Sequence, residues 1–241
     1  MSQKLLGQNL SKTYSGRTVV NGISLSVAPG EVVGLLGPNG AGKTTSFYMM
    51  VGLVKSDTGS IFIGDENVTS MSLSDRAKKG VGYLPQEASV FRELTVEENI
   101  YSVCQLRDIS RRKKESILEE LILDFSLSHI RRNKGRSLSG GERRRVEIAR
   151  TLALNPQYVL LDEPFAGVDP LAVNEIQTVI VSLKKRGIGV LITDHNVRET
   201  LGVVERAYIM NQGEILIEGA PDEIAQSEIA RKFYLGEEFK L

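Results

Sequence analysis

Gly37-Pro-Asn-Gly-Ala-Gly-Lys-Thr44 is the stretch of sequence that decides the fold. It fits the pattern G-x-x-x-x-G-K-[ST], in which the glycines let the backbone wrap around phosphate with its N–H groups pointing inward. The octapeptide follows a strand-like apolar run at 31–36 and precedes a run of helical character at 43–54. A phosphate loop requires this order, because the helix N-terminus adds its positive dipole end to the loop. A glycine-rich turn with a chance lysine would not require it.

Residues of this loop are predicted to have separate roles. Lys43 would reach the β- and γ-phosphates of a nucleotide, and Thr44 would place its hydroxyl on Mg²⁺. The loop alone leaves kinases, GTPases, helicases and transport ATPases open, since function depends on the rest of the site. The candidate nucleotide-binding residues of the loop are Gly37, Pro38, Asn39, Gly40, Ala41, Gly42, Lys43, Thr44 and Thr45.

Two adjacent carboxylates end a second apolar run, Tyr158-Val-Leu-Leu-Asp-Glu163. The carboxyl ends of strands are where α/β sheets bind ligands. Asp162 is predicted to hold Mg²⁺ through water, and Glu163, expected to point the other way on the strand, to polarise the attacking water as a general base. A solvated strand end before a turn at Pro164 is the alternative, and the phosphate loop in the same chain weighs against it.

Leu138-Ser-Gly-Gly-Glu142 is predicted to open a helix. Ser139 and Glu142 fit the capping box S-x-x-E, which by itself would explain the pair. Gly140 and Gly141 would then be the first two helical residues, where each glycine costs about 1 kcal/mol relative to alanine. Bare glycines at a helix N-terminus expose backbone N–H groups to a close anionic ligand. The sequence therefore favours an anion site at residues 139–141.

The remaining pattern indicates one domain with an embedded subdomain. Residues 5–63 are mostly short β-rich runs broken by turns, 95–153 are helical, and 158–161 and 189–193 are strand-like runs flanking a helical stretch at 170–186. Strand, helix and strand in this order are typical of parallel α/β architecture, and alternation returns at 206–218. We expect residues 1–94 and 154–241 to form a core with a β subdomain, and residues 95–153 to form an inserted helical subdomain.

The order of these motifs resembles that of the ABC transporter ATPase family over the whole chain. The resemblance depends on GPNGAGKT at 37–44, LSGGE at 138–142 and LLDEP at 160–164. It implies an α/β fold of the P-loop NTPase type, with a mostly parallel central sheet, an N-terminal antiparallel β subdomain and an inserted helical subdomain. It also implies a homodimer in which Ser139, Gly140 and Gly141 of one subunit contact the γ-phosphate of an ATP held by the phosphate loop of the other.

Further residues gain roles from this resemblance. Tyr14 is similar to the aromatic that stacks on adenine, Gln86 to the Q-loop glutamine at the nucleotide and its Mg²⁺, and His195 to the switch histidine that contacts the γ-phosphate. Residues 167–169 are similar to the D-loop. From the residues alone, Tyr14 fits a strand aromatic equally well, Gln86 a loop amide, and His195 a group that fills a strand end.

Four stretches also resemble the lipopolysaccharide-export branch of this family in Gram-negative bacteria, namely 82–91, 139–150, 162–170 and the tail at 234–239. General family motifs do not dictate 86–91 or the tail. The resemblance implies two different membrane-spanning partners and an associated single-span protein. The segment from Ala88 to Arg92, and Phe91 above all, is the candidate contact for a membrane subunit. The alternative is that Phe91 packs within the helical subdomain.

Composition narrows the class of partner. Thirty Lys and Arg balance thirty Asp and Glu among 241 residues, which weighs against nucleic acid as a partner. The basic runs at 111–114, 131–132 and 143–145 have acidic neighbours, so solvated helix faces explain them, with nearness to anionic lipid headgroups as an alternative for the first two. The single cysteine, Cys104, excludes an intrachain disulfide and suits a reducing cytosol.

No apolar run approaches the ~20 residues that cross a bilayer, and no secretory signal is recognisable. We therefore expect an ATPase on the cytoplasmic face of the inner membrane, held there by other chains. Three alternatives remain open. They are the ATPase of a branched-chain amino acid or other ABC importer, a non-transport ABC ATPase acting on DNA or ribosomes, and a metabolic P-loop kinase.

Overall fold

The computed structural model describes residues 3–167, 170–236 and 239, with the backbone alone at 170–172. The strands within this part of the chain are β1 (Leu5–Tyr14), β2 (Arg17–Val27), β3 (Val32–Leu36), β4 (Thr58–Ile63), β5 (Glu66–Asn67), β6 (Val81–Leu84), β7 (Tyr158–Asp162), β8 (Gly189–Thr193), β9 (Arg206–Asn211) and β10 (Glu214–Gly219). The helices are α1 (Lys43–Val51), α2 (Leu73–Lys78), α3 (Val96–Cys104), α4 (Arg111–Asp124), α5 (Gly140–Leu152), α6 (Pro170–Lys185), α7 (Val197–Leu201), α8 (Pro221–Gln226) and α9 (Glu228–Ala230).

The strands form two sheets. The smaller sheet is antiparallel in the order β2-β1-β4-β5, and the larger has the order β10-β9-β3-β8-β7-β6. Neighbours in the larger sheet are parallel except β9 and β10, which form an antiparallel edge. The predicted fold class, with a mostly parallel central sheet and an antiparallel N-terminal sheet, is confirmed.

Burial explains the centre of the larger sheet. Every residue of β3, β7 and β8 is buried, as expected for parallel strands covered by helices on both faces. Because β3, β6, β7 and β8 run in one direction, their carboxyl ends meet at a single edge. The phosphate loop, Gln86, Glu163 and His195 all follow these ends, so the fold brings the predicted site residues to one edge.

The observed bounds of two helices differ from the predicted ones because of capping residues at their ends. Helix α1 ends at Val51 rather than at residue 54, because Gly52 takes the left-handed conformation with a φ of 93°. Helix α4 begins at Arg111, four residues before the predicted apolar periodicity at 115, because the Ser110 side chain accepts the N–H of Lys113 as an N-cap. The short strand β6 carries the segment that leads to Gln86, and no clear pattern predicted it.

Two apolar clusters enclose the larger sheet. One joins the sheet to helices α3, α4, α5 and α6, and the other lies beneath α1 and the smaller sheet. Helices α3 to α5 all lie within 95–153, and the division of the chain at 94/95 and 153/154 stays a prediction. Across the described residues, none of the helices has both the length and the apolar character needed to span a membrane.

Candidate nucleotide site

The phosphate loop is packed closely against its surroundings. Gly37 has a φ of 149° and Gly42 a φ of 102°. A Cβ at Gly37 would lie 2.2 Å from the carbonyl oxygen of Met210, and one at Gly42 would lie 2.5 Å from that of Val19. Only glycine fits both positions, which explains two fixed residues of the motif. The loop borders an open cavity of about 280 Å³ lined by Arg17, Val19, Asn39, Gly40, Ala41, Gly42, Lys43, Thr44, Thr45 and Glu163.

Lys43 is held by the loop itself. Its side chain is buried, and Nζ donates hydrogen bonds to the carbonyl oxygens of Gly37 at 2.6 Å and Pro38 at 3.0 Å. Burial lowers the pKa of Lys43, and the carboxylates of Glu163 and Asp194 act in the opposite direction. Two neutral carbonyls satisfy the N–H groups of this buried ammonium without neutralising its positive charge. The charge can therefore bind an anion such as phosphate.

The two adjacent carboxylates differ in environment. Asp162 is the last residue of β7 and is 4% exposed, and its burial raises the pKa of its carboxyl group. Glu163 lies one residue beyond the strand with a φ of 44°, and its backbone N–H donates to Thr193 at 2.7 Å. The expectation that Glu163 is a strand residue is therefore wrong. The left-handed turn after the strand, rather than strand alternation, sets its direction.

Three predicted residues meet at the Glu163 carboxylate. Gln86 Nε2 donates to Glu163 Oε2 at 2.7 Å, and His195 Nδ1 lies 3.5 Å from the same oxygen. His195 Nδ1 is also 3.6 Å from Oδ1 of the fully buried Asp194, which accepts the backbone N–H groups of Phe165 and Asn196. The buried aspartate thus holds the loop that carries His195 in position. An oriented carboxylate between an amide and an imidazole suits the activation of water.

The predicted capping box at the start of α5 is confirmed. Ser139 Oγ accepts the N–H of Glu142 at 3.3 Å, and Glu142 Oε2 accepts the N–H of Ser139 at 2.8 Å. The N–H of Ser139 is the chief cause of a lowered pKa at Glu142. Ser139 and Gly140 are exposed, and a Cβ added at Gly140 would meet no atom within 4 Å. Packing within the chain therefore does not require glycine at position 140.

Glu163 separates the phosphate loop from the start of α5. A second cavity of about 160 Å³ contains Gly140 and Gln86 on its walls, and Glu163 lines both this cavity and the one at the phosphate loop. The carboxylate is thus reachable from two sides. The second cavity is lined by Gln86, Ala88, Gly140, Arg143, Arg144, Glu147, Glu163, Pro164, Ala166 and Gly167.

Tyr14 and the D-loop lie at the margins of this arrangement. Tyr14 is the half-exposed last residue of β1 and pairs in register with Arg17, which lines the phosphate-loop cavity. Tyr14 itself is not part of that lining, so its contact with adenine stays a prediction. Gly167 is exposed with a φ of 67°. Val168 and Asp169 of the predicted D-loop lie outside the described residues.

The sequence reading missed a buried polar cluster on α5. Arg144 donates to the carbonyl oxygens of Pro85 at 2.7 Å and Asp162 at 3.3 Å. Glu147 accepts the backbone N–H groups of Ser89 at 2.5 Å and Val90 at 3.0 Å. The interpretation of 143–145 as a solvated helix face is therefore wrong for Arg144, which is buried. The three-residue spacing between an arginine and a glutamate on the apolar face of α5 was the available signal.

The backbone of Phe91 is hydrogen-bonded through both its N–H and its carbonyl group, and the residue is half exposed. Its N–H donates to Asn99 Oδ1 at 2.8 Å, and Asn99 Nδ2 donates to its carbonyl oxygen at 3.0 Å. The residue is 49% exposed, and the guanidinium of Arg150 lies 4.8 Å from the ring centroid. An aromatic that is held this firmly yet remains accessible is compatible with a contact to another chain.

The donor set fits magnesium bound together with nucleotide. Thr44 is exposed at the phosphate loop, and Asp162 is a buried carboxylate whose pKa is raised by burial. Among the described residues, no group of three or more His, Cys, Asp or Glu could hold a metal ion by itself. Mg²⁺ usually takes one or two protein ligands and completes its shell with phosphate oxygens and waters.

Comparison with known proteins agrees with these motifs. A sequence model of the ABC transporter family matches residues 20–166. The chain therefore belongs to the ABC transporter family, and it is an ATPase of that family. Two solved structures share its fold. An ATP-binding cassette of an ABC transporter, MJ1267 in its ADP conformation, has a TM-score of 0.86 and 28% identity over 98% of this chain and 100% of its own. CbiO1 from Clostridium perfringens has a TM-score of 0.87 and 26% identity over 96% and 94%.

More specific likeness comes from curated relatives. The lipopolysaccharide export system ATP-binding protein LptB of Haemophilus influenzae is 56% identical over 98% of this chain and 99% of its own length. The protein of the same name from Escherichia coli K12 has the same identity and coverage. A probable ABC transporter ATP-binding protein of Azorhizobium caulinodans is also 56% identical, over 96% of this chain and 83% of its own length.

Proposed function

We propose that this chain is the ATP-hydrolysing subunit of a lipopolysaccharide exporter. The observation that carries the proposal is the 56% identity with lipopolysaccharide-export ATPases, which extends over 98% of this chain. The subunit works as a homodimer on the cytoplasmic face of the inner membrane. It is attached there to two membrane-spanning subunits, with which a single-span protein is associated.

Nucleotide binding uses the cavity at the phosphate loop. Lys43 exchanges its hydrogen bonds with the carbonyl oxygens of Gly37 and Pro38 for bonds to the β- and γ-phosphates of ATP. The backbone N–H groups at the start of α1 bind the same oxygens. Thr44, Asp162 and Gln86 are the residues that would hold Mg²⁺, which supplies charge neutralisation on the phosphates.

Hydrolysis depends on the position of Glu163. Its carboxylate is fixed by Gln86 at 2.7 Å and lies 3.5 Å from His195, so it has one defined orientation from which to accept a proton from water. His195 contacts the γ-phosphate and links that contact to Glu163. Little covalent chemistry falls to the protein in phosphoryl transfer, so the rate depends on positioning and on charge neutralisation by Lys43.

A second copy completes the site. Ser139 and Gly140 are exposed, and Gly140 lacks neighbours that would explain its missing side chain. In a head-to-tail dimer the N–H groups at the start of α5 of one copy contact the γ-phosphate bound by the other. This close approach would explain the glycine at position 140. Binding of ATP closes the dimer. Hydrolysis converts ATP and water to ADP and phosphate, and release of that phosphate lets the dimer reopen.

The link to the membrane runs through the segment after Gln86. Residues 85–90 are tied to α5 by Arg144, Glu147 and Arg150, the last of which donates to the carbonyl oxygen of Ser89 at 2.7 Å. A membrane subunit that contacts the residues from Ala88 to Arg92 therefore displaces α5, and with it Ser139. Residues 95–153 act as the helical unit that transmits this movement.

Purification of the complex from membranes tests the proposed function. The tagged chain is expected to bring down two different membrane-spanning proteins together with bound lipopolysaccharide. Recovery with the membrane subunits of a solute importer, without lipopolysaccharide, would contradict the assignment of cargo and leave the ATPase chemistry intact. A matched preparation of the Phe91→Ala variant serves as control, since it should lose the membrane partners.

A further inference from the structure

Arg76 is a buried cation. It contacts the C-terminal end of α1, which is the end opposite the phosphate loop. It lies on α2, is 1% exposed, and donates from Nη1 to the carbonyl oxygens of Met49 at 2.6 Å and Met50 at 2.8 Å. Nη2 donates to the carbonyl oxygen of Thr69 at 3.0 Å. None of the ion pairs among the described residues includes Arg76, and burial lowers its pKa to about 10. All its partners are neutral carbonyls.

The carbonyl groups alone do not explain this charge. Helix α1 already ends in a left-handed Gly52, whose N–H is shared between the carbonyl oxygens of Tyr48 at 3.0 Å and Met49 at 3.3 Å. Leu53 N–H adds a further bond to Tyr48 at 3.0 Å. A neutral amide could serve the remaining carbonyl of Met50. A buried guanidinium without a carboxylate is a costly substitute, so its charge calls for a separate explanation.

The other end of α1 supplies that explanation. The helix begins at Lys43 within the phosphate loop, and its nine residues span roughly 13 Å. Its first turn has no acidic residue and its last turn no basic one, so Arg76 is the cation that complements the negative end of the helix dipole. Six of the nine residues of α1 are buried, so salt screens a charge at its end less than it screens a surface charge.

We propose that Arg76 is a positioning residue for the nucleotide. It fixes the C-terminal end of α1, and its charge offsets the negative end of the helix dipole, so that the potential at the end that binds the phosphates of ATP and ADP becomes more positive. The inference rests on the proposed nucleotide site at the phosphate loop. Arg76 does not touch the reacting atoms, so its effect belongs to affinity rather than to the chemical step.

The test compares Arg76→Gln, which keeps a neutral N–H donor but lacks the charge, with Arg76→Lys, which keeps the charge. Equilibrium binding of ATP and of ADP should weaken on the order of five-fold in the Gln variant and less than about two-fold in the Lys variant. The kcat at saturating ATP should be unchanged in both, so the loss appears in KM. Arg76→Met, which keeps the apolar stem, replaces the Gln variant if that variant does not fold.

Two controls separate this inference from simpler explanations. Val51→Ala removes buried volume from α1 without changing charge, and it should lower thermal stability while leaving nucleotide affinity intact. The inference is overturned if Val51→Ala weakens ATP binding as much as Arg76→Gln, or if the Gln and Lys variants bind alike. Lys43→Ala tests the site itself. Normal ATP binding by that variant would sink the proposed site, whereas lost binding there with wild-type binding by Arg76→Gln would sink this inference alone.

Discussion

Ser139 and Ser110 offer a matched pair of helix caps with different proposed roles. Ser139 Oγ accepts an N–H at 3.3 Å at the start of α5, and Ser110 Oγ accepts one at 3.3 Å at the start of α4. Replacing either serine by alanine should lower the free energy of unfolding by about 1 kcal/mol. If capping were the whole role of Ser139, the two variants would behave alike.

The proposed dimer predicts that they differ in activity. In the closed dimer the Ser139 hydroxyl of one copy bonds the γ-phosphate held by the other, and a hydrogen bond to a charged group is worth roughly 1.5–3 kcal/mol. Loss of that bond in the transition state should lower kcat on the order of ten-fold or more. Ser110 has no such partner, and Ser110→Ala should retain kcat within about two-fold.

Phosphate release at saturating Mg²⁺ and ATP gives kcat for both variants, and urea denaturation gives their stabilities. The comparison is made at a temperature at which both remain folded, so that equal loss of the cap cancels. Ser139→Ala with the activity of Ser110→Ala would refute the role of the α5 N-terminus in the partner's nucleotide site. Equal and large losses in both would show that capping alone controls activity.

Three further changes test other parts of the site. Phe91→Ala should leave the ATPase rate of the isolated chain within about two-fold, because the ring is exposed, but abolish recovery of membrane partners; unchanged recovery would remove Phe91 from the contact. Glu147→Ala should lower the free energy of unfolding by about 3 kcal/mol or more, because it leaves two backbone N–H groups unpaired and buried Arg144 without its carboxylate partner, against at most about 1 for exposed Glu93→Ala. In nucleotide-free and Mg²⁺-free protein, Asp162→Asn should be more stable than wild type at pH 7. Burial raises the pKa of Asp162 above its ordinary 3.8, so the free energy of unfolding of the wild type falls as pH rises through the raised pKa. Urea melts should therefore show the greater stability of Asp162→Asn disappear in acid.

Much of the site could be predicted because its signals are local. The phosphate loop needs glycine at fixed positions for backbone reasons, and the box at Ser139 and Glu142 is a contact three residues apart. Parallel strands then bring their carboxyl ends together, so Glu163 and His195 could be expected at one edge of the sheet. Gln86 follows β6, which no clear pattern predicted, and its role was predicted only from the family resemblance.

Long-range contacts set the limit of that prediction. Arg76 looks like any surface arginine in a short charged helix, and its burial follows only from the approach of α1 some 26 residues earlier in the chain. Arg144 lies in a run of three arginines. Its spacing from Glu147 was a local signal, but the burial of Arg144 follows from the packing of β6 and β7 against α5. Glu163 was wrongly predicted to lie on the strand, because β7 ends at Asp162 and the backbone of Glu163 is left-handed.

The molecular mass of the Glu163→Gln variant in the presence of ATP tests the central claim most directly. Removal of the general base should slow hydrolysis by roughly 10²–10⁴-fold while leaving the phosphate loop able to bind. Light scattering should then show the mass double from that of one 26.5-kDa chain when Mg²⁺ and ATP are added, and stay at that of one chain with ADP. A variant that remains monomeric with ATP bound, or that hydrolyses ATP at the wild-type rate, would contradict the account.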